Sequence, residues 1–239
     1  VAITSKPAPQ KIPLPKINTE KIREIIDQAE NGYLKPDKVT ELLDAAGIPR
    51  AGEAVTDNLD EAVKAAEKLG FPVVMKVVGP VHKSDVGGVV LNIKDANQVA
   101  EEFTRMMKIK DTKAVLIQPM LSGTELFTGA KYEPKFGHMV LCGLGGIFIE
   151  VLKDVNSALA PLTSEEALDM IKNLKGYGII KGVRGQKGVD EDLFAEIVKR
   201  VAALVYVAPE IFEMDLNPLL GGPDKIVAVD ARIRIEKEH

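Results

Sequence analysis

The stretch Glu213-Met214-Asp215-Leu216-Asn217-Pro218 combines a strand-like alternation with three oxygen-bearing side chains near the end of the chain. In a strand, Asp215 and Asn217 lie on the same face because side chains alternate with a period of two. Asp230 follows on the next strand-like run. One or two carboxylates and an amide suit Mg²⁺, which keeps water and phosphate as its other ligands. The stretch therefore predicts a magnesium site, and a solvated acidic turn is the alternative interpretation.

The composition is typical of an ordered globular protein. The 239 residues are enough to bury a substantial core, with 46% hydrophobic and 28% charged residues. A net charge of −4 gives no electrostatic reason to expect nucleic acid as a partner. The single cysteine, Cys142, cannot form an internal disulfide, and no apolar run approaches the roughly 18 residues that span a bilayer. We therefore expect a cytoplasmic protein that binds neither nucleic acid nor membrane.

Helical and strand-like segments alternate in the first half of the chain. Residues 1–17 are rich in proline and indicate an extended arm. Apolar residues spaced three and four apart, each run closed by glycine, predict helices over 18–32, 37–47 and 58–70, and a fourth helix follows near 97–107. Strands are predicted over 72–78, 88–93 and 114–118.

The second half is richer in short strands, predicted over 126–132, 138–142, 147–152, 211–216 and 226–234. Thr163 and Glu166 form a capping-box signature for one helix. Another helix is predicted over 190–205, with Leu193, Ile197 and Val201 on one face. We interpret the chain as α+β, with the arm at 1–17 and two lobes, 18–121 and 122–239, enclosing a ligand cleft near 118–123.

Lys76 lies on the predicted strand 72–78, which is followed by a loop, residues 79–88, that leads into the next strand. Such a flap can close over phosphates with its backbone N–H groups, and Lys76 and Lys83 supply compensating charge. The loop lacks the Gly-Lys-Ser/Thr of a Walker A motif. A surface hairpin is the alternative interpretation. His82 lies in the same loop, where a largely neutral imidazole is a competent nucleophile or simply an exposed side chain.

The segment from Gln118 to Leu121, with Glu125 after it, passes from one predicted lobe to the other. Its backbone can face an adenine edge, and the carboxylate of Glu125 can hold ribose hydroxyls. An ordinary connection between lobes is the alternative. The glycine-rich stretches 143–146 and 182–185 can approach phosphate or simply turn tightly. We assign no special role to His138 or His239.

Taken in order, these segments resemble the ATP-grasp superfamily, and in particular the β subunit of ADP-forming (NDP-forming) acyl-CoA synthetases such as acetate–CoA ligase. The similarity runs from about Lys16 to Ile235. Its most specific stretches are residues 71–76 (FPVVMK), 82–89 (HKSDVGGV), 143–154 (GLGGIFIEVLKD) and 213–219 (EMDLNPL).

The resemblance implies an ATP-grasp fold and an enzyme that interconverts acyl-CoA, ADP and phosphate with a free acid, CoA and ATP. It implies a CoA-binding α subunit as partner in a heterotetramer, with the acyl-CoA or organic acid bound through α, and ATP or ADP with Mg²⁺ as cofactors. His82 is implied as a phosphoryl carrier, with Asp215 as the second catalytic residue. The implied nucleotide contacts are Lys76, His82, Lys83, Ser84, Gly87, Gly88, Gln118, Leu121 and Glu125, and the implied metal ligands are Asn217 and Asp230.

Two positions depart from the family pattern. Ala158 stands where the family has an arginine, and Tyr132-Glu133-Pro134 replaces Arg-Asp-Pro. Loss of a guanidinium near phosphates would affect turnover or substrate choice. Two other functions therefore stay open: an ATP-grasp carboxylate ligase that forms a free acyl phosphate, and a catalytically silent nucleotide-binding paralogue.

Overall fold

The structure is a computed structural model that describes residues 12–79, 87–183, 185 and 187–238. His82, Lys83 and Ser84 lie outside the described residues, as does most of the predicted arm. In chain order the elements are α1 (Thr19–Gln28), β1 (Gly32–Tyr33), α2 (Pro36–Ala45), β2 (Ala54–Thr56), α3 (Leu59–Leu69), β3 (Val73–Val78), β4 (Val89–Ile93), α4 (Ala96–Met106), β5 (Ala114–Pro119), β6 (Thr124–Glu133), β7 (Gly137–Leu144), α5 (Ile147–Glu150), β8 (Val155–Leu159), α6 (Ser164–Lys172), α7 (Tyr177–Lys181), α8 (Glu191–Val207), β9 (Ile211–Gly221), β10 (Ile226–Ala228) and β11 (Ala231–Ile235).

Side-chain caps fix the starts of several helices where the sequence predicts them. Asn18 and Asn58 each accept a hydrogen bond from the backbone N–H three residues later, at α1 and α3. The predicted capping box of α6 is confirmed, since Thr163 and Glu166 satisfy each other's backbone N–H groups. These local signals therefore set the helix boundaries before any packing is considered.

Three secondary-structure predictions are wrong. Residues 147–152 begin with the helix α5 instead of a strand, because Gly146 has φ +59° and its carbonyl accepts from the Glu150 N–H. The predicted strand 226–234 is two strands, β10 and β11, interrupted where the Val229 N–H donates to the Pro218 carbonyl. Leu193 is 38% exposed and does not share the buried face predicted for α8.

The smaller compact unit comprises residues 51–122. It holds a four-stranded antiparallel sheet in the order β2-β5-β3-β4. Val73, Met75 and Val77 alternate along β3 and enter a core closed by α3 and α4, which contribute Ala66 and Phe103 among others. Lys76 therefore projects from the sheet face opposite to this core.

The larger unit comprises residues 1–50 and 123–239. Its seven-stranded sheet has the order β1-β11-β9-β6-β7-β8, with β10 pairing β9. One face packs on a core to which α8 contributes eight apolar side chains between Phe194 and Val205. Met214 and Leu216 of β9 enter the same core, so Asp215 between them projects from the opposite face, which we name the open face.

The division of the chain differs from the predicted lobes, because residues 18–50 belong to the larger unit. The physical reason is apolar packing: Ile22, Ile26 and Leu42 of α1 and α2 are fully buried in the larger core. An ion pair adds to it, since the Arg23 guanidinium donates to both carboxylate oxygens of Glu210 at 2.8 Å. The first two helices are therefore part of the sheet unit that carries β9.

Within the described part of the chain, no helix has the length and apolar character needed to span a bilayer.

We expect Glu210→Gln to lower the free energy of unfolding by about 1–3 kcal/mol near neutral pH, because it removes a charged partner from the bidentate contact with Arg23. The hydrogen bonds from Arg23 lower the pKa of Glu210 in the folded protein. The stabilisation is thus complete above the unfolded pKa and is lost as pH falls through the folded pKa. Denaturant unfolding of both proteins across this range should show curves that converge in acid; a constant difference down to about pH 2 would contradict this account.

Candidate functional site on the open face and in the smaller unit

Asn217 and Asp230 lie opposite each other at the end of the β9–β11 ladder. The ladder pairs Asp215 with Arg232 and Leu216 with Ala231, and one step further the Asn217 N–H donates to the Asp230 carbonyl at 3.1 Å. Both side chains are exposed. Sheet register therefore brings together the three residues predicted for the metal, which lie apart in sequence.

Asp215 is the most buried member of this group, which we name the acidic corner (Asp215, Asn217 and Asp230). Burial raises the pKa of Asp215, and the carboxylates of Asp230 and Glu213 act in the same direction. The Arg232 guanidinium opposes them. Two carboxylates close enough to influence each other form a site that gains from a cation, so the acidic corner fits the oxygen-ligand chemistry of Mg²⁺.

The acidic corner offers few protein ligands. Among the described residues, the side chains of His, Cys, Asp and Glu form no group of three that could hold a metal ion. Mg²⁺ usually takes one or two carboxylates and completes its shell with water and phosphate oxygens. Binding of the metal mainly together with nucleotide therefore stays a prediction.

Gly129 makes room beside the acidic corner. It pairs with Asp215 across β6 and β9, and a Cβ at Gly129 would lie 2.5 Å from the Met214 carbonyl oxygen. Next to it a cavity of about 210 Å³ is lined by Phe127, Asp215 and Arg232, among others. The absence of a side chain at Gly129 therefore allows the close approach that sets the position of Asp215.

Glu125 lies on the open face at the start of β6. Its carbonyl accepts the Gly145 N–H at 2.8 Å, and a Cβ at Gly146 would lie 2.5 Å from its Oε2 atom. The glycine pair in the stretch 143–146 thus packs directly against Glu125. This stretch turns tightly against the predicted ribose-binding carboxylate, and its approach to phosphate stays a prediction.

The smaller unit brings Lys76 and Gln118 together. Lys76 Nζ donates to Gln118 Oε1 at 3.0 Å, and Gln118 Nε2 donates to Glu53 Oε2 at 3.0 Å. Leu121 follows β5, where the Met120 N–H is held by the Pro72 carbonyl at 2.8 Å. Glu53 was not among the predicted site residues, because its contact depends on the pairing of β2 with β5 and has no local sequence signal.

Gly87 and Gly88 form the described end of the predicted phosphate loop. The Gly88 carbonyl accepts the Val77 N–H at 2.8 Å, and the Gly87 carbonyl accepts from Arg105 at 2.9 Å. β3 and β4 pair antiparallel, as both interpretations of the loop require. His82, Lys83 and Ser84 fall outside the described residues, so their predicted roles stay predictions.

The two departures from the family pattern lie away from the acidic corner within the larger unit. Ala158 pairs with Val140 on β8 and packs against the core, so its side chain is on the face opposite to Asp215. Tyr132 stacks edge-on against His138, with ring centroids 5.3 Å apart. His138 itself is buried and contacts the Ile211 carbonyl at 2.6 Å, so it has a packing role.

Cys142 is not a nucleophile candidate. Its side chain is buried in the larger core, and this burial, with a smaller effect of Asp154, raises the pKa of the thiol to about 12. The carboxylate of Asp154 accepts the backbone N–H groups of Lys175 and Gly176 at 2.8 and 2.7 Å. It therefore anchors the start of α7.

Residues 13–235 match the family model of the ATP-grasp domain. The chain therefore belongs to the ATP-grasp family, as the resemblance in its sequence indicated. Its mixed helices and sheets agree with that fold.

Among curated proteins, the β subunit of ADP-forming acetate–CoA ligase I from Pyrococcus furiosus is 43% identical over 225 residues, which cover 89% of this chain and 97% of that subunit. The β subunit of ligase II from the same organism is 36% identical, covering 89% of this chain and 95% of that subunit. ADP-forming acetate–CoA ligase I of Archaeoglobus fulgidus is 40% identical, and the match covers 93% of this chain but 34% of that longer protein.

Solved structures of acetyl-coenzyme A synthetases are also similar to this chain. A chain of the dinucleotide-forming acetyl-coenzyme A synthetase 1 of Ca. Korarchaeum cryptofilum, in complex with coenzyme A and Ca-AMPCP, superimposes with a TM-score of 0.70 at 32% identity, covering 92% of this chain and 100% of that chain. Another structure of that enzyme holds Mg-AMPPCP, with its phosphohistidine segment pointing towards the nucleotide-binding site; it matches with a TM-score of 0.68 at 34% identity over 92% of this chain and 100% of that chain.

We expect Gly129→Ala to lower the free energy of unfolding by about 1–3 kcal/mol, because the added methyl group would be forced against the backbone of β9. Gly178→Ala is the matched control, since a Cβ there meets no atom within 4 Å. Denaturant unfolding measures both variants. Equal effects of the two substitutions would contradict a close approach of β6 to β9 at this point.

Proposed function

We propose that this chain is the nucleotide-binding β subunit of an ADP-forming acyl-CoA synthetase, which catalyses acyl-CoA + ADP + phosphate = acid + CoA + ATP. The single observation that carries the proposal is the acidic corner, where Asn217 and Asp230 lie opposite each other beside Asp215. The similarity to β subunits over nearly their whole length supports it.

In this proposal the acidic corner holds the metal end of the nucleotide. Asn217 and Asp230 supply oxygen ligands, and Asp215 adds negative charge beside them. Bound Mg²⁺ supplies charge neutralisation to the phosphates during transfer. Arg232 pairs with Asp215 in the ladder and limits the accumulation of negative charge. Glu125, held by the glycines at 145 and 146, is assigned to the ribose hydroxyls.

The smaller unit is assigned to the phosphates and the base. Lys76 has three N–H donors and gives one to Gln118, so two remain for phosphate oxygens. Gln118 and Leu121 are assigned to the adenosine, and the backbone at Gly87 and Gly88 to the phosphates. The hydrogen bond from Arg105 to the Gly87 carbonyl supports this assignment, because it fixes the backbone at Gly87.

His82 is assigned as the phosphoryl carrier. A neutral ring nitrogen accepts a phosphoryl group from the partner subunit's phosphohistidine, so one N–P bond forms as the other breaks. The phosphoryl group then passes to an oxygen of the ADP β-phosphate: the N–P bond breaks, an O–P bond forms and the imidazole is released. No base is needed in this second step, because the attacking phosphate oxygen is already ionised near neutral pH.

The full reaction requires chemistry that we assign to a partner. The related proteins from Pyrococcus furiosus are named as β subunits, whereas the relative from Archaeoglobus fulgidus is about three times longer than the matched region. A CoA-binding α subunit, joined with this chain in a heterotetramer, would supply the acyl-CoA or organic acid site.

We expect Asn217→Ala and Asp230→Asn to weaken Mg²⁺-dependent ADP binding on the order of 10-fold each, because the first removes an oxygen ligand and the second removes the negative charge of the other ligand. Asp224→Asn is the control, since this exposed carboxylate lies in the turn between β9 and β10. Titration calorimetry with and without Mg²⁺ gives the comparison. Unchanged affinity in both corner variants would exclude the acidic corner as the metal site.

We expect His82→Ala, mixed with the α subunit, acyl-CoA, ADP, phosphate and Mg²⁺, to form ATP at least about 10³-fold more slowly than the wild type, because no other residue takes over the phosphoryl group. His239→Ala should retain the wild-type rate. Acid-labile phosphate should label the wild type and be lost in the His82 variant. Full activity of that variant would refute the carrier role, and turnover without a phosphoprotein would favour the acyl-phosphate ligase.

A further inference from the structure

Three side chains of the smaller unit form a continuous hydrogen-bonded chain with a charge at each end. The Lys76 ammonium donates to Gln118 Oε1 at 3.0 Å, and Gln118 Nε2 donates to the Glu53 carboxylate at 3.0 Å. The three residues are far apart in sequence: Gln118 follows Lys76 by 42 positions and Glu53 by 65. Their contact is therefore a product of the fold.

The sheet positions these side chains on the face away from its core. Val74 pairs with Gln118, and Ala54 pairs with Ile117. Because Met75 and Ile117 enter the core, their neighbours project to the opposite face. Glu53 directly precedes β2 and therefore reaches Gln118 from the far side of β5. The two charged groups thus hold the amide from opposite ends.

The charges fix which way the amide of Gln118 points. A carboxylate only accepts hydrogen bonds, and an ammonium only donates them. The observed orientation satisfies both, whereas a flipped amide would set its oxygen against the carboxylate and its NH₂ against the ammonium. Amide orientations are decided by such partners. One N–H donor and one oxygen lone pair of Gln118 remain available to a ligand, in fixed positions.

Once nucleotide is bound, Glu53 does more than Lys76 to fix the orientation of the Gln118 amide. In the proposed function the Lys76 ammonium also serves phosphate oxygens, and its three N–H donors can exchange between these oxygens and Gln118 Oε1. Glu53 has no such competing task, and its carboxylate keeps the NH₂ group of Gln118 on one side. The hydrogen bond to Glu53 therefore serves to orient the Gln118 amide, since an exposed hydrogen bond contributes little to the stability of the fold.

We propose that Glu53 is a specificity-determining residue, which locks the amide of Gln118 so that the site distinguishes a 6-amino purine from a 6-oxo purine. The two classes present opposite patterns: a donor at C6 with an acceptor at N1, or an acceptor at C6 with a donor at N1. A locked amide complements one pattern, and a free amide can flip to serve either. This inference rests on the proposed function, in which Gln118 faces the adenosine.

The test compares ADP with IDP, which differ only in the 6-substituent and the N1 proton. Calorimetric Kd values in Mg²⁺ are measured for the wild type, Glu53→Gln and Glu53→Ala. Glu67→Gln, an exposed carboxylate on α3 of the same unit, is the charge-matched control. For the wild type and the control, we expect the Kd values of ADP and IDP to differ on the order of 10-fold, which corresponds to one mismatched polar contact.

Both Glu53 variants should bring the two Kd values together, to within about 3-fold, because their Gln118 amide can flip. Glu53→Gln keeps the size of the side chain, so it isolates the loss of an acceptor-only group. If Glu53 had a purely structural role, its substitution would weaken the binding of both nucleotides alike and leave the ratio of the two Kd values unchanged. That result would overturn the proposal. Equal binding of ADP and IDP by the wild type would overturn it as well.

The outcome for the proposed function is separate. Wild-type protein that binds ADP but keeps its selectivity after substitution of Glu53 refutes the role of Glu53 alone. Wild-type protein that binds neither nucleotide in Mg²⁺ refutes the proposed function, and the role of Glu53 with it. Unfolding midpoints of the variants, expected within about 2 °C of the wild type for an exposed residue, confirm that the comparison is made on folded protein.

Discussion

Pairing of β9 with β6 on one side and β11 on the other is the constraint on which the open face depends. Met214 and Leu216 anchor β9 in the core, and their burial turns Asp215 and Asn217 to the other face. A shift of one residue in this register would bury the carboxylate and expose two apolar side chains. The hydrophobic effect that stabilises the larger unit thus also decides where its acidic groups lie.

The same sheet supplies rigidity where the proposed chemistry needs it. α8 packs its apolar side chains against β6 and β7, and α1 and α2 close the core with Ile22 and Leu42. Sites built on packed strands hold their geometry better than sites built on loops. In the acidic corner, Asp215 and Asn217 lie within β9, and Asp230 directly precedes β11.

Much of the fold follows from local sequence signals. Capping by Asn18, Asn58 and Thr163 marks helix starts, and the alternation around Asp215 correctly places Asp215 and Asn217 on one face. Such predictions succeed because each depends on a few neighbouring residues. The assignment of these oxygen-bearing side chains to a metal stays a prediction.

The remaining features depend on contacts between distant residues. Residues 147–152 have the apolar pattern of a strand, but the conformation of Gly146 starts a helix there. The interruption between β10 and β11 depends on the carbonyl of Pro218, and the chain from Glu53 to Lys76 depends on β2 pairing with β5. No pattern within one segment encodes such partners, so these features became visible only in the folded structure.

The most direct measurement of the central claim is the position of the metal in crystals grown with Mn²⁺ and ADP, located by its anomalous scattering. The account predicts a peak about 2 Å from a side-chain oxygen of Asn217 and from one of Asp230, with nucleotide phosphate oxygens as further ligands. A manganese ion bound to the nucleotide but coordinated by neither residue would contradict it.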